Sequence, residues 1–440
     1  MTARRYCVIG AGAAGLAAIK ELRDQGYEVV CFEKSSHVGG HWHTDYQALY
    51  LITPRDSSGY PERPMPDDYP LFPHRDHMRD YLIDYARHHQ LISHIAFNAE
   101  VLAAEPLDDS GGAGWTVRTT RGDEGRFDGV LVANGHLWDP FVPAIPGSFT
   151  GRALHSARYS DVGDIAGERV LVVGSGNSGC DLAVDTAQAG LDTSICVRSG
   201  QTFQPKTLFG RPRSELPMLR KLPPTLQDWA SRALINVALG RPELYPGLPA
   251  PRERSLNRNR PVVNSQLLYW IQHGRVRVVP GIERLDGKRV HFTDGASREF
   301  DTILWATGFR VSLPFLRPEL APSGTEAPLR TAGATLPTGA DRLYFVGLCA
   351  PRGPQLPVYA AQAALICRFI RMHEKAPDGR LALAAAAARE LPIDEHIDIV
   401  RATWQRQMKL AHKFADRLER SMTRHIPARS RLPTPVPAER

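Results

Sequence analysis

The 440-residue chain has no run of 18 apolar residues, so no membrane-spanning helix is expected. Its six cysteines (Cys7, Cys31, Cys180, Cys196, Cys349 and Cys367) include no CxxC pair, which excludes a dithiol redox centre of that kind. Four of them stand in or beside strand-like runs or glycine turns and read as buried free thiols. The sixteen histidines offer no metal spacing: His41 with His43, and His74 with His77, lie in loops without a cysteine or acid at ligand distance. No Ser-His-Asp set or carboxylate pair stands out, and no signal-peptide pattern precedes the first apolar run. The expected compartment is the reducing cytoplasm. The net charge of +7 does not point to nucleic acid, because it is local. Residues 401–440 hold ten Lys/Arg against three Asp/Glu, the whole of the excess, and a basic helical tail reads first as a solvated face.

What is present is concentrated in the first forty residues. Tyr6–Ile9 is a buried-strand run, followed by Gly10-Ala11-Gly12-Ala13-Ala14-Gly15 and then by Leu16, Ala17, Ala18, Ile19 and Leu22 at helical spacing. Strand, glycine turn and helix in this order make a nucleotide-binding unit. Gly10 permits the turn, Gly12 lets a pyrophosphate approach the backbone, and Gly15 lets helix and strand pack closely. Free N–H groups at the helix start then face the phosphates. Val29–Phe32 reads as the second strand, and Glu33 at its end suits a free ribose diol. Lys34 follows, and then Gly39-Gly40-His41-Trp42, a glycine pair that lets the chain run close to a bulky cofactor.

The same unit recurs. Arg169–Val173 feeds Gly174-Ser175-Gly176-Asn177-Ser178-Gly179, and Ser194–Val197 ends at Arg198-Ser199. An arginine there suits a 2′-phosphate, which favours NADP(H) for this second unit. Between the units, 51–75 is a proline-rich loop, 79–89 a helix, and 95–103, 115–120 and 126–127 the strands of a meander. A buried-type strand spans 129–133, and residues 140–147 form a proline-rich crossing. Beyond the second unit, 207–262 is a Pro- and Arg-rich insertion with an amphipathic helix near 226–239, expected to cover the cleft. Strands follow at 276–279, 290–293 and 302–305, then Ala306-Thr307-Gly308, a strand at 343–346, a helix at 358–371 and a helical extension over 381–426.

Phe149-Thr150-Gly151-Arg152-Ala153-Leu154-His155-Ser156-Ala157-Arg158-Tyr159 reads FxGxxxHxxxY. With the paired glycine motifs, GGHW, the PMPDDYP loop and ATGF, it resembles the flavin-containing monooxygenases over about residues 5–370. The resemblance implies an α/β fold with two Rossmann-like domains, the FAD domain interrupted by the NADPH domain, and a C-terminal helical extension. The expected division is 1–150 (FAD, first part), 151–305 (NADPH, with the 207–262 insertion), 306–375 (FAD, return) and 376–440 (helical extension and basic tail).

By the same resemblance Gly10, Gly12, Ala13, Ala14, Gly15, Glu33, Lys34, Gly40, His41, Trp42 and Val101 are expected at FAD. Gly174, Ser175, Gly176, Asn177, Ser178, Arg198 and Ser199 are expected at NADPH, and Ala306, Thr307 and Gly308 between the domains. Arg55 and Asn177 are the side chains expected nearest the reacting rings, and His155 supports the NADPH domain from the linker. The implied reaction is NADPH- and O2-dependent oxygenation of an amine nitrogen or sulfide through a C4a-hydroperoxyflavin, with no side-chain acid or base required. One departure is Ile52, which falls where the family carries an asparagine; Arg55 falls at a family lysine. An uncoupled NADPH oxidase therefore stays open, as do a Baeyer–Villiger oxygenase, against which Tyr159-Ser160 speaks, and a silent flavin- and NADPH-binding protein. The expected partners are a small-molecule substrate and O2, with no nucleic acid; a homodimer is left open.

Overall fold

The computed structural model describes residues 4–108, 114–122, 124–212, 216, 222–256, 258–321, 327–375 and 382–424. The first apolar run forms β1 (Arg5–Ile9), the helix after the glycine turn is α1 (Ala13–Asp24), and β2 is Glu28–Phe32. Helix α2 (Arg75–His88) begins a turn earlier than the apolar spacing alone indicates. His74 caps it, its Nδ1 accepting the Asp76 N–H at 3.2 Å while the His77 ring accepts the His74 N–H at 3.2 Å. Histidine is not an ordinary cap, so no sequence signal marks this start.

The stretch expected as one strand over 95–103 is two. Asn98 at φ +53° breaks it into β3 (Ile95–Ala96) and β4 (Val101–Pro106). β3 joins the parallel sheet, and β4 pairs antiparallel with β5 (Trp115–Thr119), which pairs with β6 (Glu124–Phe127). β7 (Gly129–Val132) returns beside β1.

The second half contains β8 (Arg152–His155), β9 (Arg169–Val173), α3 (Asn177–Gln188) and β10 (Asp192–Cys196). The described part of the insertion carries α4 (Pro224–Leu239), with proline at its first position, where the missing N–H costs nothing. Strand Val262–Val263 pairs with Phe203–Gln204. Then come α5 (Gln266–Gln272), β11 (Val276–Val279), β12 (Thr302–Trp305), β13 (Leu343–Phe345) and α6 (Leu356–Lys375).

Two all-parallel five-stranded sheets result, ordered β13-β7-β1-β2-β3 and β8-β12-β9-β10-β11. In each, the strand feeding the glycine turn is central, with its partner strand on one side and a late strand on the other. Alternation along the central strands divides the core. Tyr6 and Val8 face α1 and α6, while Cys7 and Ile9 face the meander. Val170 and Val172 face α3, while Leu171 and Val173 face the opposite layer. Both faces are covered, which is why these strands read as continuous apolar runs.

The extension expected as helix over 381–426 is interrupted. α7 (Leu383–Glu390) stops before Pro392, Asp398–Ile399 pairs with Ala350–Pro351, and α8 (Arg401–Arg424) follows. Arg368 on α6 holds α8 through Asp416 and Glu419. Residues 425–440, the basic tail, lie outside the described residues. No described helix is long and apolar enough to cross a membrane.

Candidate functional site

The two glycine turns match atom for atom in what they allow. At Gly10 and Gly174 φ is +98° and +114°, and a Cβ would press on the carbonyl oxygens of Ala133 and Ala306. A Cβ at Gly15 or Gly179 would overlap the carbonyl oxygen of Gly10 or Gly174, so these glycines set the approach of helix to strand. The middle glycines are different. A Cβ at Gly12 would meet only the Gly40 Cα at 3.8 Å, and at Gly176 nothing within 4 Å. Space is left open at the same point of both turns. Gly12 and Gly176 are also the N-caps of α1 and α3, with no side-chain cap and no acid in the first turn. Orphan N–H groups beside open space fit a phosphate in each unit.

Glu33 is buried, and its two carboxylate oxygens accept the Ala11 N–H at 2.7 Å and the Ser35 N–H at 2.8 Å. Each oxygen keeps acceptor capacity for a ribose hydroxyl. Gly39 donates to Ala11 O at 3.0 Å, which lays the Gly39-Gly40 stretch on the turn. His41, next in line, bonds Asp45 at 2.5 Å. Burial lowers its pKa, but this carboxylate outweighs burial and the net shift is upward. Trp42 is half-buried beside it, with ring centroids 4.8 Å apart. Lys34 is exposed and lies over the Trp138 ring at 4.3 Å. Val101 is buried at the start of β4 in the core shared with Phe32 and Ala99.

In the second unit Ser175 is buried in the turn, and Asn177 and Ser178 open α3. Asn177 Oδ1 accepts the Val263 N–H at 2.9 Å and so ties the insertion to the helix start. Arg198 is exposed just past β10 and forms no ion pair among the described residues; Ser199 beside it is half-buried.

The units are joined by two antiparallel crossings. Phe309–Arg310 pairs with Asp139–Pro140, Phe141 N–H donates to Gly308 O at 2.9 Å, and Thr307 donates to Phe141 O. Ala306 lies directly against Gly174. His155, buried, bonds Gly308 O through Nε2 at 3.0 Å and accepts the Ala157 N–H on Nδ1 at 3.1 Å. Those partners fix the Nε2–H tautomer, and burial lowers its pKa, so the ring is a neutral strut. Arg55 is spent on its own loop: it bonds Asp56 at 2.8 Å, Tyr69 O at 2.7 Å and Asp67 O.

Sequence reasoning missed a buried polar cluster between the units. Tyr46, just past GGHW, donates to Asp181 of α3 at 3.0 Å, and Asn264 donates to the other oxygen of Asp181 at 2.8 Å. Lys206 completes it, and burial lowers the lysine pKa. No spacing signal joins residues 46, 181, 206 and 264. His136, after β7, was missed too; burial and the neighbouring His41 pull it down to about 4.

The flavin-binding monooxygenase-like family model matches residues 3–412. Flavin-containing monooxygenase 3 of Rattus norvegicus is 30% identical over 396 residues, covering 84% of this chain and 74% of that protein. Flavin-containing monooxygenase 5 of Mus musculus is 29% identical over 437 residues, covering 92% and 80%. Among solved structures, an open form of cyclohexanone monooxygenase superposes with a TM-score of 0.72 at 18% identity, covering 94% of this chain and 98% of that one. A flavin-containing monooxygenase from Stenotrophomonas maltophilia gives 0.66 at 22%, covering 85% and 99%. These two likenesses speak for the fold. The chain belongs to the flavin-binding monooxygenase-like family and is an NADPH- and O2-dependent oxidoreductase with FAD and NADPH as its cofactors.

Proposed function

We propose that this enzyme transfers one atom of O2 to a soft nucleophile, an amine nitrogen or a sulfide sulfur of a small molecule. The second oxygen atom leaves as water: substrate, O2, NADPH and H+ become oxygenated substrate, NADP+ and H2O. The observation that carries the reading is the pair of open, uncapped glycine turns, with Glu33 just past the second strand of one unit and Arg198 just past that of the other.

In this reading segments 1–150 and 306–375 hold FAD and 151–305 holds NADPH. Strand Gly147–Phe149 pairs with Leu285–Gly287 of the second lobe, which supports a crossing at 139–146. Bound FAD supplies the redox chemistry that passes electrons from NADPH to O2. The chain's own residues bind, orient and shield. The first-turn N–H groups of α1, with Gly10, Gly12, Ala13, Ala14 and Gly15, take the FAD pyrophosphate, and Glu33 takes the ribose. Gly40, His41 and Trp42 run alongside the cofactor. The start of α3 takes the NADPH pyrophosphate, and Arg198 with Ser199 takes the 2′-phosphate. His155 fixes the crossing through Gly308. The insertion excludes water, tied down by the Asn177–Val263 bond and by Arg352, which donates to Leu256 O at 2.5 Å.

An uncoupled oxidase that releases peroxide is the second reading, favoured by Ile52 at the family's asparagine position and by Arg55 being held within its loop. Purified yellow protein decides between them. Sulfide supplied with NADPH and air should yield sulfoxide in step with NADPH consumed. Hydrogen peroxide in step with NADPH, with no sulfoxide, sinks the oxygenase reading in favour of the second.

A further inference from the structure

Two of the arginines around the loop from Gly347 to Gln355, between β13 and α6, Arg330 and Arg401, form no ion pair among the described residues. Arg330 is fully buried; it donates to Leu348 O at 2.9 Å and His396 O at 3.0 Å, and its Nε is buried with no partner. Arg401 donates to Pro354 O at 2.7 Å, and its Nη1 is likewise buried and unpartnered. Arg352, on the loop itself, holds Asp398 at 2.9 Å, and Arg260 comes only to 3.9 Å of that same carboxylate. Asp394, the other acid nearby, is occupied by the His396 N–H and by Gln407.

Burying an unpaired guanidinium is unfavourable. Arg401 adds a second cost, since it opens α8, where the positive end of the helix dipole opposes a cation. An anion would offset both. The place is a ligand site by position. Gly347 abuts Ala14 of the first glycine turn, and Arg352 reaches Leu256 and Asn259 of the insertion. The niche therefore lies where the FAD lobe, the cover and the C-terminal segment meet, at the carboxyl end of a parallel sheet. The FAD pyrophosphate has its own donors at the start of α1, so these arginines are left for a second anion.

We propose that the substrate carries a carboxylate, received by the half-buried Arg401, with the enclosed Arg330 adding its charge from beneath and the soft atom directed into the cleft. This rests on the oxygenase reading for the reaction, but not for the binding. The test uses the FAD-loaded full chain and two probes with one sulfide: (phenylthio)acetate and its methyl ester. Binding is followed by calorimetry, and sulfoxide by chromatography. The acid should bind at least about tenfold tighter than the ester, as a charge-assisted contact implies. Arg401→Met should weaken acid binding by about tenfold while leaving the ester within about twofold, and Arg401→Lys should fall between. Equal binding of acid and ester overturns the proposal. So does an Arg401→Met variant that weakens both alike or comes out stripped of FAD, which would assign the arginine to the fold or the cofactor. Tight acid binding without sulfoxide keeps the anion site and sinks the oxygenase reading instead.

Discussion

Arg198 shows how much a single residue at a strand end decides. It is exposed, forms no ion pair among the described residues, and stands one position beyond Val197, the register counterpart of Glu33 in the first unit. Hydrogen bonds to a charged group contribute about 1.5–3 kcal/mol, so Arg198→Ala should raise the KM for NADPH by roughly 10- to 100-fold. The KM for NADH, which has no 2′-phosphate, should hardly move. Steady-state NADPH and NADH consumption compares the two, and equal losses would refute the assignment. Asp181 offers a test by pH. Burial raises its pKa from the ordinary 3.8 to about 6, against the lowering by Tyr46, Lys206 and Asn264 and with a further push from Asp185. The folded state thus holds that proton more tightly than the unfolded chain. Its contribution to stability is full below about pH 4 and is lost as pH rises through about 6, on the order of 3 kcal/mol. Asp181→Asn abolishes this titration, so its melting temperature should fall less between pH 4 and pH 8 than that of the wild type. Thermal melts over that range check it, and parallel curves would show that Asp181 does not titrate as described.

At the scale of elements, the glycines of one turn should fail in different ways. A Cβ at Gly15 overlaps the Gly10 carbonyl, so Gly15→Ala must separate α1 from β1, and little folded protein is expected. A Cβ at Gly12 has room in the chain itself and obstructs only what passes through the open space. Gly12→Ala should therefore fold with an unchanged far-ultraviolet circular dichroism spectrum yet be purified with little or no FAD. Full flavin occupancy in Gly12→Ala would show that the open space is not the phosphate path. These elements were legible because local rules suffice for them. β9, β11 and β12 sit where continuous apolar runs place them, and α1 and α3 start where glycine turns end. What escaped was decided by contacts or by atypical chemistry. Examples are the His74 cap of α2, the left-handed Asn98 that splits β3 from β4, and Asp398–Ile399, which pairs with residues almost fifty positions away. The arginine niche escaped for the same reason, since four arginines far apart in sequence give no periodic signal.

In the proposed reading the whole molecule depends on how one lobe is set against the other, because NADPH and flavin meet between them. The crossings at 139–141 and 307–310 form one hinge-like pair, with His155 behind Gly308. Away from them, Gln47 N–H donates to Ser160 O at 2.8 Å, Tyr46 donates to Asp181 at 3.0 Å, and Lys206 lies over the rings of Tyr50 and Phe72 at 5.6 and 5.4 Å. Tyr46 lies between the FAD-side GGHW stretch and the first turn of α3, so its hydroxyl links the two proposed cofactor sites without being placed in either. Tyr46→Phe keeps the ring and removes the hydroxyl's bonds to Asp181 and Ser178. The variant should retain its FAD and bind NADPH within about twofold of the wild type. A misplacement of about 1 Å between reacting groups costs up to 100-fold in rate, so anaerobic bleaching of the flavin by NADPH should slow by about tenfold or more. A purely local role predicts something else: bleaching at the wild-type rate, with the loss confined to thermal stability. Stopped-flow reduction of both proteins at saturating NADPH separates the two, because saturation removes any difference in affinity and leaves only the geometry of the encounter.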